Sequence, residues 1–131
     1  MNTASNDFGC NTCWPKVADE AWEAVKHLKS EIELIDESHF MIKVRSCKKC
    51  SQQFLWVFTE TIDWKDGEDP QYWAVLPITP AEAYQLLSDG GTTVTALLGL
   101  SSERKSLCHD FPKGSEPKSY WSQGIVIGPH D

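Results

Sequence analysis

Apolar positions near the start of the chain follow a helical period. Val17, Ala21, Val25 and Leu28 recur at i, i+4, i+8 and i+11 with Trp22 beside them, while Lys16, Glu20, Glu23, Lys26 and Lys29 take the other side. Pro15 suits a first helical turn, where its missing N–H would be unpaired anyway. The spacing predicts an amphipathic helix over residues 16–29. The pattern then changes to alternation. Ile32 and Leu34 precede a turn at Asp36-Glu37-Ser38, and Phe40, Ile42 and Val44 alternate with Met41, Lys43 and Arg45. Cys47-Lys48-Lys49-Cys50 interrupts, Phe54 to Thr59 resumes in aromatic and β-branched residues, and an acidic loop from Asp63 to Pro70 leads to a strand over Tyr72 to Leu76. Four strands joined by short connections predict an antiparallel meander.

Thr79-Pro80-Ala81-Glu82 carries the pattern of a capping box, in which Thr79 and Glu82 satisfy each other's backbone N–H groups. It predicts a short helix to Ser88, stopped by Gly90-Gly91. Val94, Leu97 and Leu98 suggest a second short helix. From His109 onward Pro and Gly recur, so residues 109–131 are expected to form an irregular tail. Tyr120-Trp121 and Ile125-Val126-Ile127 would pin that tail to the domain, the latter as an edge strand. The expected whole is a single α+β domain over residues 1–131, with a flexible lead at 1–9, an N-terminal helix, a four-stranded antiparallel meander, two short helices and the tail.

A length of 131 residues fits one domain, and 40% hydrophobic with 24% charged residues argues against disorder. The net charge of −7 opposes a broad nucleic-acid surface, which draws its affinity from neutralising phosphates, and opposes docking on anionic membranes. A basic or neutral protein partner suits it better. No apolar run reaches the length of a membrane span. Residues 1–9 carry neither the basic nor the apolar region of a secretion signal, so a cytoplasmic chain is expected.

The specific chemical signal is a pair of C-x-x-C motifs, Cys10/Cys13 and Cys47/Cys50, with residues 14–46 between them. A tight turn can present two sulfurs to one ion, and two such turns complete a tetrahedron that leaves no open position. The run Val44-Arg45-Ser46-Cys47-Lys48-Lys49-Cys50-Ser51-Gln52-Gln53-Phe54 sets one such knuckle between two strands. The arrangement resembles a zinc ribbon. That resemblance covers the two knuckles and the strands around the second, and it implies a structural Zn2+ held by Cys10, Cys13, Cys47 and Cys50. The chain departs from a compact ribbon in its long spacer and in the helix that follows the first knuckle. Three other uses of the sulfurs stay open: a thiol redox pair at Cys10/Cys13 before a helix N-terminus, two disulfides, and an iron–sulfur cluster. Cys108-His109-Asp110 is a further cluster whose spacing does not require it at the metal. His27 and His39 read as surface or boundary residues.

No nucleophile elbow, zinc-protease, phosphate-loop, dinucleotide or deaminase motif is present. Asp63, Asp66, Glu68 and Asp69 surround Trp64 in an acidic loop whose spacing misses the calcium pattern. Such a loop is ordinarily a solvated hairpin; as a functional element it would engage Lys or Arg on a partner. Of the tryptophans, Trp56 and Trp73 lie within strands and are expected in the core, Trp121 lies in the tail, and Trp64 is the candidate for exposure. These features point to a small acidic non-catalytic zinc domain acting as a protein-interaction module, of the composition an immunity protein or inhibitor has. Trp64, Asp66, Glu68 and Asp69 are its candidate contact residues. The alternatives are a thiol redox enzyme using Cys10 and Cys13, and a nucleic-acid-binding ribbon using Lys43, Arg45, Lys48 and Lys49.

Overall fold

The computed structural model describes residues 8–88 and 104–125. Six strands form one antiparallel sheet whose spatial order follows the chain, β1 (Lys29–Glu37), β2 (Phe40–Ser46), β3 (Gln53–Glu60), β4 (Gln71–Ile78), β5 (Lys105–Phe111) and β6 (Lys118–Gln123). Helix α1 (Ala18–Val25) precedes the sheet, and α2 (Pro80–Ser88) falls between β4 and β5.

This overturns the expected architecture of a four-stranded meander with an N-terminal helix, two later helices and an irregular tail. The sheet has six strands, and the described residues hold two helices. The tail expected at 109–131 contains the end of β5 and all of β6, and its Pro/Gly cluster is the hairpin between them, with Gly114 at φ +73°. Neither strand announces itself by alternation. β5 is buried at Ser106, Leu107 and Cys108 alike, since both faces of the sheet are covered there, while β6 is a half-exposed edge of polar residues. The first helix is also shorter than residues 16–29. Lys29 already pairs with Ser46, and pairing to β2 claims the segment that periodicity would have left helical. The helix expected around Val94 to Leu98 lies outside the described residues, as do Val126 and Ile127 of the expected edge strand.

Both faces of the sheet are covered. On one, Ile42, Val44, Leu55, Val57, Ala74, Leu76 and Ile78 meet Ala83 and Leu86 of α2 and Ile125. On the other, Phe54, Val75 and Leu107 meet Trp14, Ala21, Val25 and Leu28 from the N-terminal segment. The register Val44↔Leu55↔Leu76 stacks three buried side chains across adjacent strands, each worth about 1.5–3 kcal/mol of transfer out of water. The capping box forms as its sequence suggests. The Thr79 N–H donates to Glu82 Oε1 (2.8 Å), and the Glu82 N–H donates to Thr79 Oγ1 (3.1 Å). Arg104 then clamps Glu82 through both guanidinium nitrogens (2.7 and 3.1 Å) and donates to the Pro77 carbonyl (2.8 Å), tying α2 to the sheet. No helix among the described residues is long and apolar enough to cross a membrane.

The meander gives the sheet two ends with different contents. The β2–β3 connection and the start of β5 lie at one end, together with the segment Gly9–Trp14. The Ser38-His39 turn, the Thr61–Pro70 loop and the Pro112–Pro117 hairpin lie at the other.

Candidate metal centre

The two knuckles are built alike. In each, the N–H after the second cysteine donates to the carbonyl of the first: Trp14 to Cys10 at 2.7 Å and Ser51 to Cys47 at 2.9 Å. The bend turns backbone N–H groups toward sulfur. Those of Lys49 and Cys50 approach Cys47 Sγ at 3.3 and 3.5 Å, and that of Cys10 approaches Cys13 Sγ at 3.3 Å. The second knuckle ends on Ser51, a non-glycine residue held at φ +69°.

Distant segments bring the knuckles together. Gly9 donates its N–H to Gln52 Oε1 (3.1 Å), and Gln52 Nε2 donates to the carbonyls of Gln53 and Ile78 (2.8 Å each), so one amide ties the first knuckle to the second and to β4. Trp14 packs against Phe54 and Trp121, both at 5.1 Å between ring centroids. Trp121 Nε1–H also donates to the Lys16 carbonyl (2.9 Å). Thus Trp121 does pin its segment to the domain, as a residue of β6. Gly9 sits at φ +72°, and a Cβ there would lie 2.9 Å from both Cys13 Sγ and Trp14 Cβ. The chain passes over the Cys13 sulfur so closely that only glycine fits.

The result is four sulfurs within 4.8 Å of one another. Cys10 and Cys13 are 3.8 Å apart, and across the knuckles Cys10–Cys47 is 3.9 Å and Cys13–Cys50 3.8 Å. A tetrahedral cation with metal–sulfur bonds of about 2.3 Å has sulfur–sulfur edges of about 3.8 Å, so the donor set fits a metal ion. All four cysteines are free thiols, and they are graded in exposure: Cys13 and Cys47 buried, Cys10 half-buried, Cys50 exposed. Their ionisation is strongly divided. Burial acts to raise the Cys10 thiol, but the N–H groups of Cys13 and Thr12 outweigh it and bring its pKa down to about 6. Burial and the sulfurs around it push Cys13 far up, and burial with the thiols of Cys10 and Cys47 raises Cys50. One charge settles in the cluster and repels the next, the repulsion a divalent cation at the centre would remove.

The other candidates separate. Cys108 is buried on the opposite face of the sheet with Tyr72 Oη at 3.2 Å from its sulfur. His109 stacks on Trp22 at 4.1 Å and lies 2.8 Å from Ser119 Oγ through Nδ1. Neither joins the sulfur cluster. His39 pairs with Glu60 at 3.0 Å. Helix α1 begins at Ala18, beyond the proline, so Cys13 does not sit at a helix N-terminus. The basic stretch beside the second knuckle is divided as well. Lys43 pairs with Glu33 (3.6 Å), Arg45 donates to the Leu28 carbonyl (2.9 Å), and both lie over the Trp56 ring, while Lys49 reaches Thr12 (3.4 Å). Trp56 and Trp73 are half-buried.

At the far end, the acidic loop is organised around Asp63. Its carboxylate accepts N–H groups from Lys65, Asp66 and Glu68 and pairs with Lys113 at 2.9 Å. Lys113 beside it, helped by those N–H groups, holds its pKa down to about 2. Asp69 accepts the Asp63 N–H (2.8 Å), and Asp66 also pairs with Lys113 (2.8 Å). Glu68 and Asp69 line a cleft of about 770 Å3 with Glu60, Phe111, Lys113 and Glu116. Trp64 is 83% exposed beside them in the same loop.

No family model, curated protein or solved structure matches this chain. Gly9, Gln52 and Ser51 complete the site without having been singled out from the sequence. A glycine directly before Cys10 was the available signal for the first. Nothing local distinguishes Gln52, whose partners are far away in the chain.

Proposed function

We propose that the four sulfurs hold a structural zinc ion, and that the zinc-clamped sheet is a non-catalytic protein-interaction module of zinc-ribbon-like character, working in the cytoplasm. Zinc is the assignment because four thiolates at tetrahedral spacing suit it and leave no position for substrate. The docking region is the acidic end of the sheet, and the partner presents Lys or Arg. The observation that carries this reading is Trp64, an 83% exposed tryptophan in the same loop as Glu68 and Asp69, which with Glu60 and Glu116 line a cleft. A large aromatic with few rotatable bonds makes an interface anchor, and the carboxylates supply complementarity to a basic surface. Asp63 and Asp66 share the single cation of Lys113, Glu60 pairs with His39 and Asp69 accepts the Asp63 N–H, so Glu68 and Glu116 are the lining carboxylates proposed to face a partner.

Metal analysis of the purified chain tests the first half: about one zinc per chain, with no iron–sulfur absorption, is expected. The second half is tested by comparing baits. Basic proteins retained by the wild type and lost on a Trp64→Ala, Glu68→Lys double substitution that leaves the melting temperature unchanged support it. Identical captures by the two baits would refute it.

A further inference from the structure

We infer that the metal centre is also an oxidation site: a hydroperoxide converts Cys50 to a sulfenic acid, Cys13 resolves it as a Cys13–Cys50 disulfide, and the cation leaves. This rests on the zinc reading above and adds to it a specific order of events. Cys50 is the one exposed ligand of the four. An oxidant arriving from solvent meets its sulfur first, and metal-bound thiolates keep enough nucleophilic character to attack a peroxide. The sulfur that can answer is chosen by geometry. Cys47 and Cys13 are both buried and both take backbone N–H groups, so the sulfur contact across the knuckles makes the choice. Cys13 is buried under Gly9, closed to solvent on that side, with its sulfur 3.8 Å from that of Cys50 across the knuckles. A sulfenic acid formed at Cys50 therefore has its resolving partner already at contact distance.

The chemistry balances without a further reagent. The Cys50 thiolate attacks one peroxide oxygen, the O–O bond breaks, and hydroxide leaves into solvent, where buffer protonates it. The Cys13 thiolate then attacks the Cys50 sulfur, the S–O bond breaks, and a second hydroxide leaves. Two thiolates have lost two electrons to one peroxide. Two ligands remain, Cys10 and Cys47, 3.9 Å apart, which a second equivalent of peroxide can join in the same way. Both bonds run between knuckles. Oxidation thus exchanges one link between the N-terminal segment and the sheet for another, rather than cutting it.

The test uses the zinc-loaded full chain and hydrogen peroxide, with a chromogenic chelator reporting free zinc and peptide mapping reporting the disulfide. About one zinc released per peroxide consumed, with a Cys13–Cys50 linked peptide appearing first, is expected. Cys50→His keeps a four-ligand zinc site without sulfur at the exposed position, and should slow release by about tenfold or more. First-formed bonds within the knuckles, Cys10–Cys13 or Cys47–Cys50, would overturn the inference, as would Cys50→His losing zinc at the wild-type rate. Zinc that stays bound through excess peroxide would also refute it while leaving the zinc reading intact. A chain that carries and takes up no zinc would fail the earlier reading and remove both.

Discussion

The two ends of the sheet are closed by opposite means. At the metal end, residues 37 positions apart in the chain converge on one point, and the bonds that hold them come from distant partners: Gly9 to Gln52, Gln52 to Ile78, Trp121 to Lys16. At the acidic end, Asp63 gathers N–H groups from within its own loop, and Lys113 is the added long-range tie. The difference decides what each end can tolerate. A long-range cross-link restricts the unfolded chain heavily and is lost as a unit, whereas a self-closed loop can open without consequence for the core. The metal end is the place for rigidity, and the acidic end can carry side chains selected for contact.

That contrast can be broken first at the sulfurs. Cys13→Ser should abolish tight zinc binding and destabilise the fold by about 3 kcal/mol or more, read as a lowered melting temperature that added zinc no longer raises. A variant as stable as the wild type would show the N-terminal segment to be held by Trp14 and its neighbours alone. Next in size is Gly9→Ala. Its Cβ would meet Cys13 Sγ and Trp14 Cβ at 2.9 Å on a backbone at φ +72°, costing about 2 kcal/mol and weakening zinc retention against a competing chelator. Ser51→Gly works in the other direction. It relieves a non-glycine residue at φ +69° and should stabilise the protein by up to about 1 kcal/mol in denaturant titration, with zinc content unchanged.

The smallest effect belongs to the acidic end and appears with pH. The folded-state pKa of Asp63 lies below its ordinary value of 3.8, at about 2, so its contribution to loop order is present above the ordinary value and lost as pH falls toward 2. Amide exchange at Lys65, Asp66 and Glu68 should therefore accelerate over that interval ahead of exchange in β3 and β4. Simultaneous loss of protection in loop and strands would mean that the two ends are one cooperative unit.

Much of the site was legible before the fold. The spacing of the paired cysteines depends on local turn geometry, and the second knuckle is flanked by segments whose alternation also pairs them, so Cys47 and Cys50 had only one place to go. Thr79 and Glu82 were legible for the same reason, since a capping box is completed within three residues. Exposure of Trp64 followed from the charges around it. Strands β5 and β6 were hidden because consecutive full burial in the one, and consecutive partial burial in the other, erases alternation. The basic stretch around the second knuckle was misleading for a related reason: Lys43 and Arg45 lie over the Trp56 ring, Lys43 paired with Glu33 and Arg45 held by the Leu28 carbonyl.

By itself, then, the sequence determined what short-range geometry can decide: the two knuckles, the capped helix, the strands before the acidic loop, and the solvent-facing character of that loop. Tertiary structure alone decided that two more strands complete the sheet, that the helix yields its end to β1, and that Gly9 and Gln52 close the metal site. These depend on which segment lies opposite which, and pairing across the sheet leaves no trace in the local order of residues when the energy comes from the neighbour and not from the chain itself.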